Sequence, residues 1–284
     1  MFMNPFRRFA SVVVVLFAVS ALAQGPTQLR PGFNLFSKQQ DVQLGQETAT
    51  QVRKRVTVIN DPTLTAYVNA VGKRLMASQE ATASRFPFTF EVVADPGINA
   101  FALPGGPMFI NTGLLRAVDN EAQLAGVMGH EMSHVILRHG TNQASKANLI
   151  ELPAMLAGEM AGNGSIMGQL AQLGIGLGAN SVLLKFSRTA ESQADLMGSH
   201  LMAEAGYDPM EMAKFFEKLN VGGGAQAPQF LSDHPNPGNR EKAIEQEAAR
   251  LPQQTHGYQT GKFQQMKKVV ATIHEPPPKP KPAQ

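Results

Sequence analysis

Gly129-His130-Glu131-Met132-Ser133-His134 reads His-Glu-x-x-His inside a segment whose apolar residues recur with helical spacing. His130 and His134 are four residues apart, so a helix places both imidazoles on one face, where they can share one zinc ion. Glu131 projects to the side of that face, where it can hold the catalytic water instead of the metal. The buried face of this helix is predicted from intervals of three, four and seven residues: Leu124, Val127, Met128, Val135 and Ile136.

Both ends of this helix are marked in the sequence. Asn120 is the predicted N-cap, and Gln123, three residues later, is its capping-box partner. Gly140 stands where a glycine would end the helix. The alternative is a helix that carries two histidines and a glutamate by chance, but the full motif on a capped apolar helix favours a metal site.

The first residues are typical of an export signal. Arg7 and Arg8 precede an apolar run from Phe9 to Leu22, and Ala21-Leu22-Ala23 matches a cleavage site before Gln24. The run is shorter than the roughly 20 apolar residues that a membrane-spanning helix needs, which disfavours the alternative of an uncleaved anchor. We therefore expect residues 1–23 to be a signal peptide and the mature protein to be periplasmic, free or peripheral to a membrane.

Composition excludes several classes of function. Without its two N-terminal arginines the mature chain carries 23 basic and 22 acidic residues, so no dominant basic field predicts nucleic-acid binding despite a pI near 9.2. The chain has no cysteine, which excludes disulfides and restricts a zinc site to nitrogen and oxygen ligands. About 260 mature residues are enough for one sizeable core.

The residues before the motif predict a scaffold and a small sheet. Residues 24–36 read as an extended lead-in, Ser37 as the cap of a helix to about Val56, and Asp61-Pro62 as the start of a second helix to about Ala77. Three β-rich stretches follow and predict a small antiparallel sheet: 86–93, 99–103 and 107–111.

The second of these stretches is the candidate substrate-binding strand. An exposed edge strand can bind an extended peptide by adding it to the sheet. The alternative is an ordinary edge strand or hairpin arm. The residues predicted to contact substrate in this way are Asn99, Ala100, Phe101 and Ala102.

The segment 147–184 is apolar, with Glu151 and Glu159 as its only charged residues. It reads as a helical hairpin broken at Gly162-Asn163-Gly164. One interpretation is a lid over the site or a surface that touches a membrane or a partner. The other is a buried helix pair, because methionine-rich apolar helices are often simply core.

The third metal ligand is predicted on a later helix, in the run from Ser187 to Asp195. Glu191 and Asp195 lie one turn apart on one face, 57 residues or more after His134. Glu191 would complete a His-His-Glu set with an open fourth position, as catalytic zinc sites have. Asp195 would accept a hydrogen bond from the free ring nitrogen of His130. The alternative is a solvated salt-bridge helix with Arg188.

Four groups of residues together resemble a known family. They are Asn99-Ala100-Phe101-Ala102 with Pro104-Gly105-Gly106; the Gly-His-Glu-Met-Ser-His run; Ser187-Arg188-x-x-Glu191-x-x-Ala194-Asp195; and Asp233-His234-Pro235 with Arg240. Over residues 38–250 the chain is similar to the metallopeptidase family of HtpX, the CAAX prenyl proteases and the periplasmic protease-chaperone BepA. It departs from the first two by lacking transmembrane helices, and from BepA because the residues after Arg250 leave no room for a tetratricopeptide domain.

The resemblance implies a gluzincin-type zinc endopeptidase domain at residues 37–250, with an α+β, mostly helical fold in which a small antiparallel sheet packs on a helix bundle. It implies one Zn²⁺ per chain and substrates that are unfolded or misassembled envelope proteins. The alternative function is a periplasmic chaperone or outer-membrane assembly factor with repressed proteolysis. Possible partners are the outer-membrane assembly machinery or a membrane surface.

The resemblance also assigns roles to two further residues. His234 would approach the zinc and displace the catalytic water, which holds the enzyme off; the alternatives are a hydrogen bond to the oxyanion or a cap on the following helix. Arg240 would be a structural ion-pair partner or would help the oxyanion. The remaining histidines have no partner pattern and are predicted to be ordinary polar or surface residues: His139, His200, His256 and His274.

The C-terminal part carries no predicted chemistry. Residues 251–274 form an extension with a last short helix or strand. Residues 275–284 read as a proline-rich, disordered tail.

Overall fold

The computed structural model describes residues 25–147, 165, 186–221, 229–252 and 257–275. The predicted signal peptide, nearly all of the apolar segment 147–184 and the tail after Glu275 lie outside the described residues. Among the helices of the described ranges, none combines the length and apolar character that crossing a membrane requires.

The described ranges form eleven helices and three strands. Before the motif these are α1 (Lys38–Arg55), α2 (Pro62–Met76), α3 (Gln79–Ser84), β1 (Thr89–Val93), β2 (Ala100–Ala102), β3 (Pro107–Asn111) and α4 (Thr112–Ala117). The motif and the residues after it form α5 (Glu121–Ile136), α6 (His139–Ala147), α7 (Arg188–Glu204), α8 (Met210–Val221), α9 (Gln229–Asp233), α10 (Arg240–Ala248) and α11 (Phe263–Thr272). Residues 25–36 contain no helix or strand.

Side chains cap the helices where the sequence predicts them. Ser37 and Gln40 form a reciprocal capping box at α1, and the Asp61 carboxylate accepts the Leu64 backbone N–H at α2. The Asn120 side chain accepts from the Gln123 backbone N–H at the start of α5. These bonds satisfy backbone donors that have no partner within the first turn of a helix.

The predicted stop of α5 at Gly140 is wrong. The helix ends at Ile136, and Arg138 adopts a left-handed backbone with φ 57°. The Arg138 guanidinium compensates by bonding to the Asp41 carboxylate at 2.5 Å and the Phe36 carbonyl at 2.6 Å. Gly140 instead lies in the first turn of α6.

The sheet is mixed, so the prediction of an antiparallel sheet is wrong. Its order is β1-β3-β2, with β1 parallel to β3 and β2 antiparallel to β3. The strands alternate in direction along the chain, but β3 rather than β2 lies beside β1. Gly106, at φ 127°, allows this because a Cβ there would lie 2.8 Å from the Pro87 carbonyl oxygen, so the β2–β3 turn rests directly against the residues before β1.

The core lies between the sheet and the helices, with α5 at its centre. Every residue of α5 except Ala122 is buried. Helices α2, α7 and α8 pack around α5, and β2 covers another side of it. The C-terminal extension belongs to the same body, because α11 is a helix that packs on α2 and α4 and buries Phe263, Met266 and Val270.

His200, which we predicted to be an ordinary polar or surface residue, is buried on α7 with two carboxylates. Its Nδ1 lies 3.1 Å from Glu80 Oε1, and its Nε2 lies 2.7 Å from Glu247 Oε1. Burial is the largest influence on its pKa and lowers it, but the hydrogen bonds and charges of the two glutamates outweigh burial, so the pKa is raised above 6.5. Two other charged groups lie near His200. They are Glu204, and Arg250, whose guanidinium is 3.3 Å from the Glu247 carboxylate.

We expect His200→Asn to destabilise the protein by about 1.5–3 kcal/mol near pH 6, the range for hydrogen bonds to charged groups. A raised folded-state pKa gives stability that is complete below pH 6.5 and is lost as the pH rises through that pKa. The pKa of Glu247 is lowered despite burial, by bonds from Thr27 and His200, so its contribution disappears as the pH falls below 4.5. Urea unfolding of both proteins from pH 4 to 9 measures this, and an equal difference at pH 6 and pH 9 would contradict it.

Candidate metal centre

Gly198 lets the helices that carry the predicted ligands approach each other closely, at a crossing that also includes Gly129. A Cβ at Gly198 on α7 would lie 3.2 Å from the backbone nitrogen of His130 on α5. Gly129 faces the same contact, because a Cβ there would lie 3.5 Å from the Gly198 carbonyl oxygen. The close crossing brings Glu191, near the start of α7, to the two histidines of α5.

The predicted ligands converge on one point. His130 Nε2 lies 3.1 Å from His134 Nε2 and 3.3 Å from Glu191 Oε2, and His134 Nε2 lies 3.5 Å from Glu191 Oε1. The ligand atoms of a tetrahedral zinc site with bonds of about 2.0–2.1 Å are separated by roughly 3.3–3.4 Å. The spacing of these nitrogen and oxygen atoms therefore fits a zinc ion.

His234 joins this cluster from the residue after α9. Its Nδ1 lies 3.2 Å from His130 Nε2 and 3.2 Å from Glu191 Oε1. Ligand atoms of His130, His134, Glu191 and His234 all lie within 4.8 Å of one another, and all four residues are buried. The helix-cap interpretation of His234 is wrong, because the N-cap position of α10 is Asn239.

Burial and the neighbouring members of the cluster shift the pKa values of its side chains. Burial is the largest influence on the Glu191 pKa and would raise it, but His234, His130 and His134 outweigh burial and hold it well below 4.5. Burial likewise opposes protonation of His130, but the hydrogen bonds that its ring donates to the Asp195 and Glu191 carboxylates raise its pKa to about 9. Burial lowers the pKa of His134 well below 6.5.

Asp195 and Arg240 form the layer behind the cluster. Asp195 Oδ1 lies 3.0 Å from His130 Nδ1, the ring nitrogen that faces away from the ligand atoms. The Arg240 guanidinium donates to both Asp195 oxygens, at 2.7 and 2.8 Å, and to Glu191 Oε2 at 3.4 Å. It also lies 4.0 Å from the centre of the Phe216 ring. These contacts favour the structural ion-pair interpretation of Arg240.

Glu131 lies between the cluster and the sheet. Its Oε2 accepts the backbone N–H of Ala102 at 3.1 Å. Its Oε1 has no hydrogen-bond partner, although His234 Nε2 is 3.2 Å away without hydrogen-bond alignment. Burial raises the pKa of this carboxyl. This unpartnered carboxylate oxygen lies beside the ligand cluster, which is where hydrolysis would require a proton-accepting group.

The predicted substrate strand lies at the rim of this site. β2 is an edge strand that pairs with β3, and its Ala102 N–H points to Glu131 instead of to β3. The Phe101 ring stacks on Phe109 with centroids 5.2 Å apart. Asn99 precedes the strand, is buried, and donates to Asp233 Oδ2 at 3.3 Å.

His139 is a residue of the site that the sequence analysis missed. It is buried, and its Nδ1 lies 2.9 Å from His134 Nδ1, so its prediction as an ordinary polar or surface histidine is wrong. Burial lowers the His139 pKa to about 4. On a continuous helix, position 139 would point away from His134. The left-handed turn at Arg138 redirects it, and helical periodicity carries no signal for that turn.

Phe186 was also missed, and its ring stacks on His134 with centroids 3.8 Å apart. It precedes the helix that carries Glu191, and no pattern in the sequence marks it. Of the other two histidines, His274 is exposed as predicted, and His256 lies outside the described residues.

Known proteins match the chain over the same region. The profile of Peptidase family M48 matches residues 62–248. The beta-barrel assembly-enhancing protease of Escherichia coli (strain K12) is 35% identical over 213 residues, which are 71% of this chain and 42% of that protein. The mitochondrial metalloendopeptidase OMA1 of Schizosaccharomyces pombe is 32% identical over 213 residues, 74% of this chain and 60% of that protein.

The match includes the whole ligand cluster and the layer behind it, and the resemblance stated from the motifs is confirmed. The chain spans less than half the length of the bacterial relative and under two thirds of the mitochondrial one. Members of the matched family are metallopeptidases that use zinc, and the buried nitrogen and oxygen cluster fits that ion. The chain belongs to peptidase family M48.

Proposed function

We propose that this protein is an endopeptidase that hydrolyses peptide bonds of unfolded or misassembled envelope proteins, with zinc held by His130, His134 and Glu191. The observation that carries the proposal is the position of Glu131. Its carboxylate contacts the edge strand β2 through Oε2, and its other oxygen, Oε1, has no hydrogen-bond partner and lies beside His234 of the cluster. A peptidase of this kind needs a metal, a proton acceptor and a backbone that holds the substrate, and this arrangement supports all three at one place.

When bound, zinc polarises the scissile carbonyl and lowers the pKa of water at the site. Glu131 accepts a proton from the attacking water at Oε1 and later delivers it to the leaving amine. The Ala102 N–H holds Oε2 and thereby fixes the orientation of the carboxylate. β2 holds the peptide in an extended form along its free edge.

Asp195 holds the ring of His130 through Nδ1, and Arg240 holds Asp195 through two parallel hydrogen bonds. With zinc bound, the ring proton of His130 would stay on Nδ1 and the Nε2 lone pair would be directed at the cluster. Bidentate geometry resists rotation of the carboxylate, which one hydrogen bond would not do. We therefore infer that Arg240 is a positioning residue that acts through Asp195.

The bacterial relative is named a beta-barrel assembly-enhancing protease, which supports proteolysis by this chain in connection with the assembly of beta-barrel proteins. The predicted signal peptide supports a periplasmic location. The second candidate function is that of a chaperone or assembly factor whose proteolysis is repressed. His234 favours it, because its Nδ1 occupies the fourth position around the cluster, where an open site would be needed.

The test is degradation of casein and of an unfolded outer-membrane protein by the purified mature chain, with zinc content measured on the same sample. One zinc per chain together with cleavage would support the endopeptidase. Bound zinc without cleavage of either substrate, in the wild type and in a variant freed of His234, would favour the chaperone or assembly function.

We expect His234→Ala to raise the rate of casein cleavage without loss of bound zinc, since three ligands remain. The gain is roughly tenfold if the open form makes up about 10% of the wild-type population. His274→Ala is the matched control, because that histidine is exposed, and its rate should equal that of the wild type. A His234→Ala variant no more active than the wild type would refute self-inhibition, and a large loss of activity would indicate the oxyanion role.

A further inference from the structure

We propose that His139 and Gln193 position the zinc-binding ring of His134 through a directed chain of hydrogen bonds. This inference rests on the proposed function, specifically on His134 as a ligand. These hydrogen bonds join three elements, because His134 belongs to α5, His139 begins α6 and Gln193 lies on α7. His134 Nδ1 lies 2.9 Å from His139 Nδ1, and His139 Nε2 lies 3.1 Å from Gln193 Oε1.

The direction of each hydrogen bond follows from the chemistry of the groups. His134 Nε2 faces the cluster, so it must offer a lone pair to bind a metal, and the ring proton then resides on Nδ1. His139 Nδ1 must therefore accept, which puts the proton of that ring on Nε2. The Gln193 amide oxygen is the acceptor that this second proton requires, and it lies within hydrogen-bond distance.

His134 and His139 are both buried, whereas Gln193, at the other end of these hydrogen bonds, is partly exposed. His139 is 7% exposed, and the Phe186 ring lies over His134, with its centre 6.2 Å from that of His139. Water therefore has little access to replace a missing acceptor at His134 Nδ1. A buried N–H without a partner is expensive, so loss of the acceptor would favour the other tautomer, whose Nε2 cannot bind metal.

The two ligand histidines of α5 are thus held in different ways, although both sets of hydrogen bonds end at a residue of α7. His130 donates directly to Asp195, whose charge is fixed by Arg240. His134 donates to a neutral acceptor, which is itself fixed by Gln193. A neutral partner orients the ring without adding negative charge behind it.

The test is the zinc dissociation constant of the full mature chain, measured by competition with a chelator at fixed pH. We expect His139→Leu to weaken zinc binding about 10–100-fold, as loss of an outer partner of a metal ligand does. His139→Asn places an amide oxygen near the position of Nδ1 and should restore most of the affinity. Gln193→Leu should fall between His139→Leu and the wild type.

The matched control is His200→Asn, another buried histidine that touches none of the ligands. It should lower the melting temperature of the zinc-free protein and leave the zinc dissociation constant unchanged. Equal zinc affinity in His139→Leu and the wild type would overturn the inference, and so would a His139→Asn variant that binds as weakly as His139→Leu. A wild-type chain without zinc affinity would instead refute the ligand assignment of the proposed function.

Discussion

Replacement of Glu131 by Gln is expected to lower kcat/KM for casein by roughly 10²–10⁴-fold, the usual contribution of a general acid–base group. Each tenfold loss corresponds to about 1.4 kcal/mol of transition-state stabilisation. The glutamine oxygen can still accept the Ala102 N–H, so the fold and the position of the side chain are preserved. The position of Oε1 is then occupied by an amide NH₂, which cannot take a proton from water.

Zinc content and melting temperature distinguish this loss from damage to the site. Both should equal the wild-type values, because Glu131 is not part of the ligand set. Glu121→Gln is the matched control, since Glu121 is also a buried carboxylate on α5 but bonds to Tyr207 and Thr260, neither of which belongs to the cluster. The folded fraction of that variant should hydrolyse casein at the wild-type rate. Normal turnover by Glu131→Gln would refute its assignment as the proton acceptor.

Replacement of Arg240 by Met is expected to lower the free energy of unfolding by about 3–5 kcal/mol, the loss when one partner of a buried ion pair is removed. The guanidinium is 4% exposed and neutralises Asp195 and Glu191, which are also buried. Without it two carboxylates remain in the core beside the cluster. Urea unfolding of the zinc-free proteins measures the difference.

Arg53→Met is the matched control, because Arg53 makes the same kind of bidentate contact with Glu91 at the surface. Its side chain is 44% exposed, so we expect a loss of no more than about 1 kcal/mol. A double variant, Arg240→Met with Asp195→Asn, should lose less than the sum of the two single losses, because the pair is coupled. Similar losses for Arg240→Met and Arg53→Met would contradict a central role of the buried pair.

The sequence was sufficient for the parts of the site that follow from regular spacing. A four-residue interval on a helix fixes the relation of His130 to His134, and the same interval relates Glu191 to Asp195. The caps at Ser37, Asp61 and Asn120 are local interactions that need no knowledge of the fold. The structure brings these predicted residues together because two regular helices cross at a pair of glycines.

The features that were missed depend on backbone conformations that carry no periodic signal. Strand composition predicts that β1, β2 and β3 exist, but their order depends on the turn at Gly106 and its contact with Pro87. The left-handed conformation of Arg138 is held by partners about 100 residues away in the chain, Asp41 and Phe36. His139 could not be assigned to the site before that turn was known.

The distribution of the cluster along the chain has a consequence for biogenesis. Its members come from three segments, and His130 and His234 are separated by 104 residues. During synthesis or export, a chain that has emerged only as far as α5 holds two of the four groups. It still lacks Glu191, His234 and Arg240, the residue that neutralises Asp195. All four groups of the cluster are therefore present only after residues up to His234 have emerged. A chain that has emerged only as far as α5 therefore has no intact site with which to cut itself or its neighbours.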